Sequence, residues 1–202
     1  VVKGQAGPGL LETYSTERAP IAKQIVTRAN QSIAEFGPIF EALGMDGGVD
    51  PEKIQRNMAA RCDATPAAEK QRDALRKAIE FKKYEFDCHG VEMNQRYRSA
   101  AAVTDGQPEP AADRDMELHY QPTTWPGARI PHVWVFDRHG AKHSTLDITG
   151  RGQFTILTGI GGEAWVTAAE AVGHELGLPV RTHVIGPRRE IEDHSGDWAR
   201  AR

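Results

Sequence analysis

Phe154-Thr155-Ile156-Leu157-Thr158 runs into Gly159-Ile160-Gly161-Gly162, then into Glu163 to Leu176 and Val180-Arg181-Thr182-His183-Val184-Ile185. The first five residues are apolar or β-branched and are bounded by glycine, which reads as a buried strand. Trp165, Ala168, Ala169, Val172 and Leu176 recur at spacings of three and four, so 163–176 reads as a helix that stops at Gly177. Val180 to Ile185 is a second strand, ended by Gly186-Pro187. Strand, short turn, helix and strand form a βαβ unit, and hence a sheet with parallel pairing. Upstream, His132-Val133-Trp134-Val135-Phe136 is β-rich and lies between Pro131 and the turn Asp137-Arg138-His139-Gly140. Ser144 to Ile148 is expected to pair back on it as a hairpin. The 154–158 run is continuously apolar, whereas the hairpin is interrupted by Ser, Thr and Asp. The first is therefore expected at the centre of the sheet and the second nearer an edge.

The first half of the chain is helical. Lys3 to Gly9 reads as a loop, and Ile21, Ile25, Ala29 and Ile33 then form a row of spacing four. Pro20 must either bend that helix or open a second one, because it lacks an N–H and clashes one turn back. Ile39, Phe40 and Leu43 give a short helix ending at Gly44. Asp50-Pro51 and Thr65-Pro66 each place a capping side chain before a proline at the first helical position. Helices are expected over about 51–61 and 66–83. Val91 to Val103 is expected to be extended. Thr104 to Pro122, with Asp105-Gly106, Pro108 and Pro110, is the linker candidate. The fold class is α+β, with a helical part over 1–103, a linker over 104–122 and an α/β domain over 123–202.

Composition narrows the function classes. Of 202 residues 39% are hydrophobic, and 20 glycines complete an ordinary globular composition, which excludes a disordered tail or a collagen-like repeat. A net charge of −3 gives no bulk attraction to nucleic acid or to an anionic membrane. No apolar run approaches the roughly 18 residues that a membrane-spanning helix needs. The two cysteines, Cys62 and Cys88, form no disulfide framework and suit a reducing, cytoplasmic setting. The chain opens without an initiator Met and closes inside a helical pattern, so it reads as a piece of a longer protein.

Each chemical motif has a plainer reading beside it. Gly159 to Gly162 stands before a helix N-terminus, where backbone N–H groups hold anions, but its spacing fits no dinucleotide or Walker loop and Glu163 repels phosphate. A simple turn accounts for it. His139 and His143 lie four apart on a hairpin turn, with too few partners for zinc. Cys88-His89 suggests a thiolate nucleophile, yet activation needs a base in contact, and a structural cysteine is the simpler reading. There is no C-x-x-C pair. The charged face of 66–83 reads as solvated surface. Glu17 and Arg18, beside Pro20, suggest a fixed ion pair at a helix bend or, equally, a surface pair worth about 0–1 kcal/mol.

Leu10-Leu11-Glu12-Thr13-Tyr14 with Glu17-Arg18-Ala19-Pro20 resembles the LL-x-x-Y-x-x-E-R-x-P helix of class A FAD-dependent aromatic hydroxylases. Tyr120-Gln121-Pro122-Thr123-Thr124-Trp125-Pro126-Gly127-Ala128-Arg129-Ile130-Pro131-His132 is similar to the segment that enters that family's C-terminal domain. Thr16–Arg28, His89–Tyr97 and His183–Glu190 resemble the branch acting on phenols and chlorophenols. The resemblance covers essentially the whole chain. It implies that 1–103 is the helical tail of an FAD/substrate domain and that 123–202 is a truncated domain of thioredoxin-like fold without redox cysteines.

It also implies a parent monooxygenase that uses FAD, NADPH and O₂ to convert phenols such as 2,4-dichlorophenol to the catechol. The protein's share of such chemistry is orientation and exclusion of water. The family's flavin-binding motifs are expected before Val1, so no residue of this chain is assigned a catalytic, cofactor-binding or metal role. The fragment alone is expected to be inactive and to bind no FAD. Met93 or Tyr97 stands near the aromatic pocket or in the core. The expected partners are a phenolic substrate and further copies of the same chain. A different reading makes the chain a non-enzymatic thioredoxin-like association module. A third, a hydrolase using Cys88, requires a depressed thiol pKa there.

Overall fold

The computed structural model describes residues 1–45, 48 and 50–201. They divide into two compact units. One joins residues 1–18, 95–111 and 122–202, and the other joins 19–94 and 112–121. The polar stretch 104–122 is thus shared, with 104–111 in the first unit and 112–121 in the second.

The first unit carries a five-stranded sheet. Strands β1 (Trp134–Asp137) and β2 (Lys142–Ser144) form an antiparallel hairpin with Trp134 opposite Ser144. Its turn is held by Asp137, whose Oδ1 accepts from the backbone N–H of His139 at 2.8 Å and of Ala141 at 2.9 Å. Strand β3 (Phe154–Gly159) runs parallel to β4 (Val180–Ile185), and helix α8 (Glu163–Leu176) crosses between them. The short β5 (Ile191–Glu192) pairs parallel with β4 and antiparallel with β1. The strand order is β2-β1-β5-β4-β3. Val133, Val135, Ile185, Ile191 and Trp198 form the core, with Ile130, Ile148 and Leu157 against them. Trp198 comes from a final helix, α9 (Asp197–Ala201).

Two expectations are corrected. Strand 154–159 lies at an edge, not at the centre, and Phe154 is 63% exposed. An apolar run reports what covers a strand's faces but does not say whether a neighbour sits on each side in the plane. The return strand of the hairpin ends at Ser144, and Thr145–Ile148 is a helical turn, α7. Ser144 caps that turn, and Asp147 reaches back to the Ser144 N–H, a capping box that outcompetes further pairing.

The second unit holds most of α1 (Gly9–Ala34), which runs through Pro20 without a break, and the short α2 (Gly37–Ala42). Asp50 caps α3 (Pro51–Ala60), and Thr65 caps α4 (Pro66–Phe81). These are the two starts that the Asp-Pro and Thr-Pro pairs mark. Two short helices follow, α5 (Lys83–Phe86) and α6 (His89–Met93). The extended reading of 91–103 is corrected, since α6 occupies its start and only Arg96 bridges, to Ala128. The backbone approaches most closely at Gly90. A Cβ there would lie 2.0 Å from the Met116 carbonyl oxygen. Asn94 Nδ2 donates to that same oxygen at 2.9 Å. Within the apolar row of α1, Ile21 is 4% exposed but Ile25 is 45% and Ile33 72%. The buried side of the helix carries Arg28 and Ser32 instead.

Thr145 is fully buried, donates to the Pro131 carbonyl at 2.6 Å and accepts from the Val133 N–H at 3.1 Å. Thr145→Val keeps the shape and strands both backbone groups. It should cost about 1–3 kcal/mol in denaturant unfolding, while Thr145→Ser should cost less.

Candidate functional site

Glu17 and Arg18 do not pair with each other. Arg18 Nη1 donates to the Tyr97 hydroxyl at 2.8 Å, and Glu17 Oε1 accepts from the Ser99 hydroxyl. Both side chains are thus spent on the 95–99 segment. Arg18 is exposed and Glu17 is half-buried, so this is a pair of surface clamps.

The buried charges of the helical unit are Arg28 and Glu35, which sequence reasoning does not single out, and Lys82, which departs from the solvated face expected over 66–83. Arg28 and Glu35 form an ion pair in which both side chains are about nine-tenths buried. Glu117 Oε2 stands 3.6 Å from the same guanidinium, and the Tyr84 ring lies 5.4 Å from it. Burial opposes the Arg28 charge, but the Glu35 hydrogen bond and the charges of Glu35 and Glu117 outweigh it and hold its pKa above the ordinary value. Lys82, 4% exposed, donates to the Ser32 carbonyl at 2.7 Å, pairs with Glu85 and lies over the Phe36 ring. Tyr84 donates to Asp115 at 2.5 Å, which raises the phenol pKa and lowers the carboxyl. The signal was present in the spacing. Arg28, Ser32 and Glu35 fall on the same helical face as Ile21.

Cys88 borders this cluster. Burial pushes its thiol above the ordinary value, although Arg28 pulls the other way, and its Sγ contacts the Tyr84 carbonyl. A nucleophilic thiolate needs the opposite shift, so the site lends the hydrolase reading no support. Cys62 is exposed.

In the sheet unit the glycines of the βα turn serve the turn itself. A Cβ at Gly162 would lie 1.9 Å from the Thr158 hydroxyl oxygen. Glu163 opens α8 and pairs with Arg189 at 2.7 Å, which puts an acid where a phosphate would sit. These residues do not fit the pyrophosphate of a dinucleotide such as FAD. His143 pairs with Asp137 at 3.1 Å across the hairpin turn, and the pair borders a cavity of about 300 Å³. His183, 1% exposed, lines the same cavity with its Nδ1 3.4 Å from Glu190 Oε2, outside hydrogen-bond alignment. Arg181 pairs with Glu190 at 3.5 Å, so the charges here are mutually spent. Among the described residues no group of three His, Cys, Asp or Glu side chains converges as a metal site, and no helix is long and apolar enough to cross a membrane.

With this geometry in place, comparison with known proteins is informative. No family model matches the chain. It is 52% identical, over all 202 residues, to the 2,4-dichlorophenol 6-monooxygenase of Delftia acidovorans, of which it covers 34%. It is 50% identical over the same length to the phenol 2-monooxygenase of Pseudomonas sp. (strain EST1001), of which it covers 33%. The flavin-dependent monooxygenase PieE, solved with FAD and substrate, superposes on the whole chain with a TM-score of 0.92 at 45% identity, the chain covering 34% of it. The chain is therefore homologous, end to end, to one segment of flavin-dependent monooxygenases. It spans about a third of the length of the curated relatives that it matches.

Two outcomes follow from the charges. Glu35→Gln leaves buried Arg28 with only the more exposed Glu117 as counter-ion and should cost up to about 3 kcal/mol, whereas Arg18→Ala should cost under about 1 kcal/mol, both read from urea midpoints. The His143 hydrogen bond, with the backbone N–H groups of Ala141 and His139, lowers Asp137 to about 2 from the ordinary 3.8. A carboxylate lowered on folding stabilises above its unfolded pKa and loses that contribution as pH falls through the folded one. The stability difference between the wild type and Asp137→Asn should hold above about pH 4 and shrink towards pH 2, as measured by acid-dependent unfolding.

Proposed function

We propose that this chain is the C-terminal third of an FAD-dependent phenol monooxygenase. That enzyme hydroxylates a phenol, 2,4-dichlorophenol among them, ortho to its hydroxyl with NADPH and O₂. The observation that carries the reading is the match to such enzymes over every residue of the chain, at an identity of about one half. Residues 1–103 would end the FAD/substrate domain and 123–202 would form the thioredoxin-like domain, with 104–122 between them. The parallel β3–α8–β4 unit supports the thioredoxin-like part.

The chain's own contribution is support. Among the described residues no turn offers a pyrophosphate cradle, which supports assigning FAD and NADPH to the rest of the enzyme and no catalytic, cofactor-binding or metal role to this chain. The exposed apolar residues Ile25 and Ile33 of α1 are a surface for the remainder of the FAD/substrate domain. A cytoplasmic homo-oligomer completes the proposal.

The test is the full-length protein with 2,4-dichlorophenol, NADPH and O₂. Substrate-dependent NADPH oxidation should yield the ortho-hydroxylated catechol, and the 202-residue chain alone should yield none. A flavin-loaded full-length protein that forms no catechol from any phenol would overturn the reading.

A further inference from the structure

The cavity that His183 lines, about 300 Å³ in volume, is enclosed by β1, β2, β4 and the segments on either side of β3 and β5. His183 is buried there, and neither of its ring nitrogens has a hydrogen-bond partner among the described residues. A buried imidazole ordinarily donates through one nitrogen and accepts through the other. The His183 ring is therefore a donor and an acceptor in wait for a partner, set at the wall of a cavity. Ile148 and Ile191 give the lining its apolar part.

The charges around the cavity are loosely paired. Arg181 stands 3.5 Å from Glu190, Arg151 stands 3.9 Å from Asp147, and His183 Nδ1 lies 3.4 Å from Glu190 Oε2. Elsewhere in the same unit such pairs shorten to 2.7 Å, at Arg189 and Glu163, and to 2.8 Å, at Arg96 and Glu109. The shorter values are the ordinary ones for a guanidinium on a carboxylate. Asp137 is already taken up by His143 and by the N–H groups of its own turn. Two carboxylates, Asp147 and Glu190, and two guanidiniums, Arg151 and Arg181, remain. A lone anion in this cavity would meet both carboxylates, and a lone cation would meet both guanidiniums. A molecule that carries one charge of each sign complements the lining.

We infer that this cavity binds a small zwitterion of the α-amino-acid type. The ligand's carboxylate takes Arg181 and Arg151, its ammonium takes Glu190 and Asp147, and the His183 ring bonds to it directly. The volume stands at the low end for ligand cavities, so the side chain of the ligand is limited to a few atoms. Glu190 and Ile191 lead into β5, which alone joins the two halves of the sheet, so a bound molecule braces that bridge. Binding to the folded state only also stabilises it by mass action. The inference rests on the sheet unit and not on the hydroxylase chemistry.

The test is a titration of the full-length protein, its histidine rings nitrogen-labelled, with glycine, alanine and serine, and separately with acetate and with methylammonium. The His183 ring resonances are identified by their loss in His183→Asn. At least one of the three amino acids should shift them saturably, and acetate and methylammonium should each bind at least about tenfold more weakly. Arg181→Gln and Glu190→Gln should each weaken that amino acid at least about tenfold. Arg189→Gln, whose pair lies outside the cavity, should leave it unchanged. Acetate binding as tightly as the amino acids would mean a plain oxyanion site, and methylammonium doing so a plain cation site, and either result overturns the inference. The absence of a saturable response to all three amino acids would mean that the cavity holds solvent only, which overturns it equally.

Discussion

Two residues, Ile191 and Glu192, join the halves of the sheet. The hairpin β1–β2 and the parallel pair β3–β4 share no ladder, and β5 lies between them. Ile191 faces Ile185 on one side and Asp137 on the other, and it is 3% exposed. The return from β4 is correspondingly tight. Gly186 N–H donates to the Ile191 carbonyl at 2.9 Å, and the Arg188 backbone, at φ 58°, sends its N–H to the Glu192 carboxylate at 2.9 Å. The His194 hydrogen bond to Glu192, together with that N–H, lowers this carboxyl below its ordinary range. Core residues from both halves, Val135 and Ile185, come together only because this short bridge holds.

Much of this was legible in the sequence, and what escaped has physical causes. Turn and cap chemistry is local, so Asp50-Pro51, Thr65-Pro66, Gly177 and the Asp137–Gly140 turn mark their elements correctly. The βαβ unit followed from a change of period, from a continuous run to spacings of three and four. The position of β3 in the sheet did not follow, because in-plane neighbours leave no periodic trace. The run 144–148 reads as the return strand of a hairpin, but the Ser144–Asp147 capping box makes 145–148 a helical turn. The two-residue β5 falls below any pattern length.

The charged residues divide similarly. Glu17 and Arg18 drew attention because they flank a proline, yet each reaches 95–99 and they do not meet each other. Arg28 and Glu35 drew none, because a seven-residue separation with polar neighbours looks like an ordinary solvated face. They are the costly ones. Counter-ions for a buried guanidinium arrive from Glu117, remote in sequence, which no local reading supplies.

Gly90 carries a consequence for reading other sequences. The Met116 carbonyl occupies the space that any side chain at 90 would need, and Asn94 holds that carbonyl in place. Glycine at 90 and asparagine four residues on are thus tied to one backbone carbonyl, that of Met116. Alanine at 90 would force that carbonyl, and the 112–121 backbone that carries it, to shift.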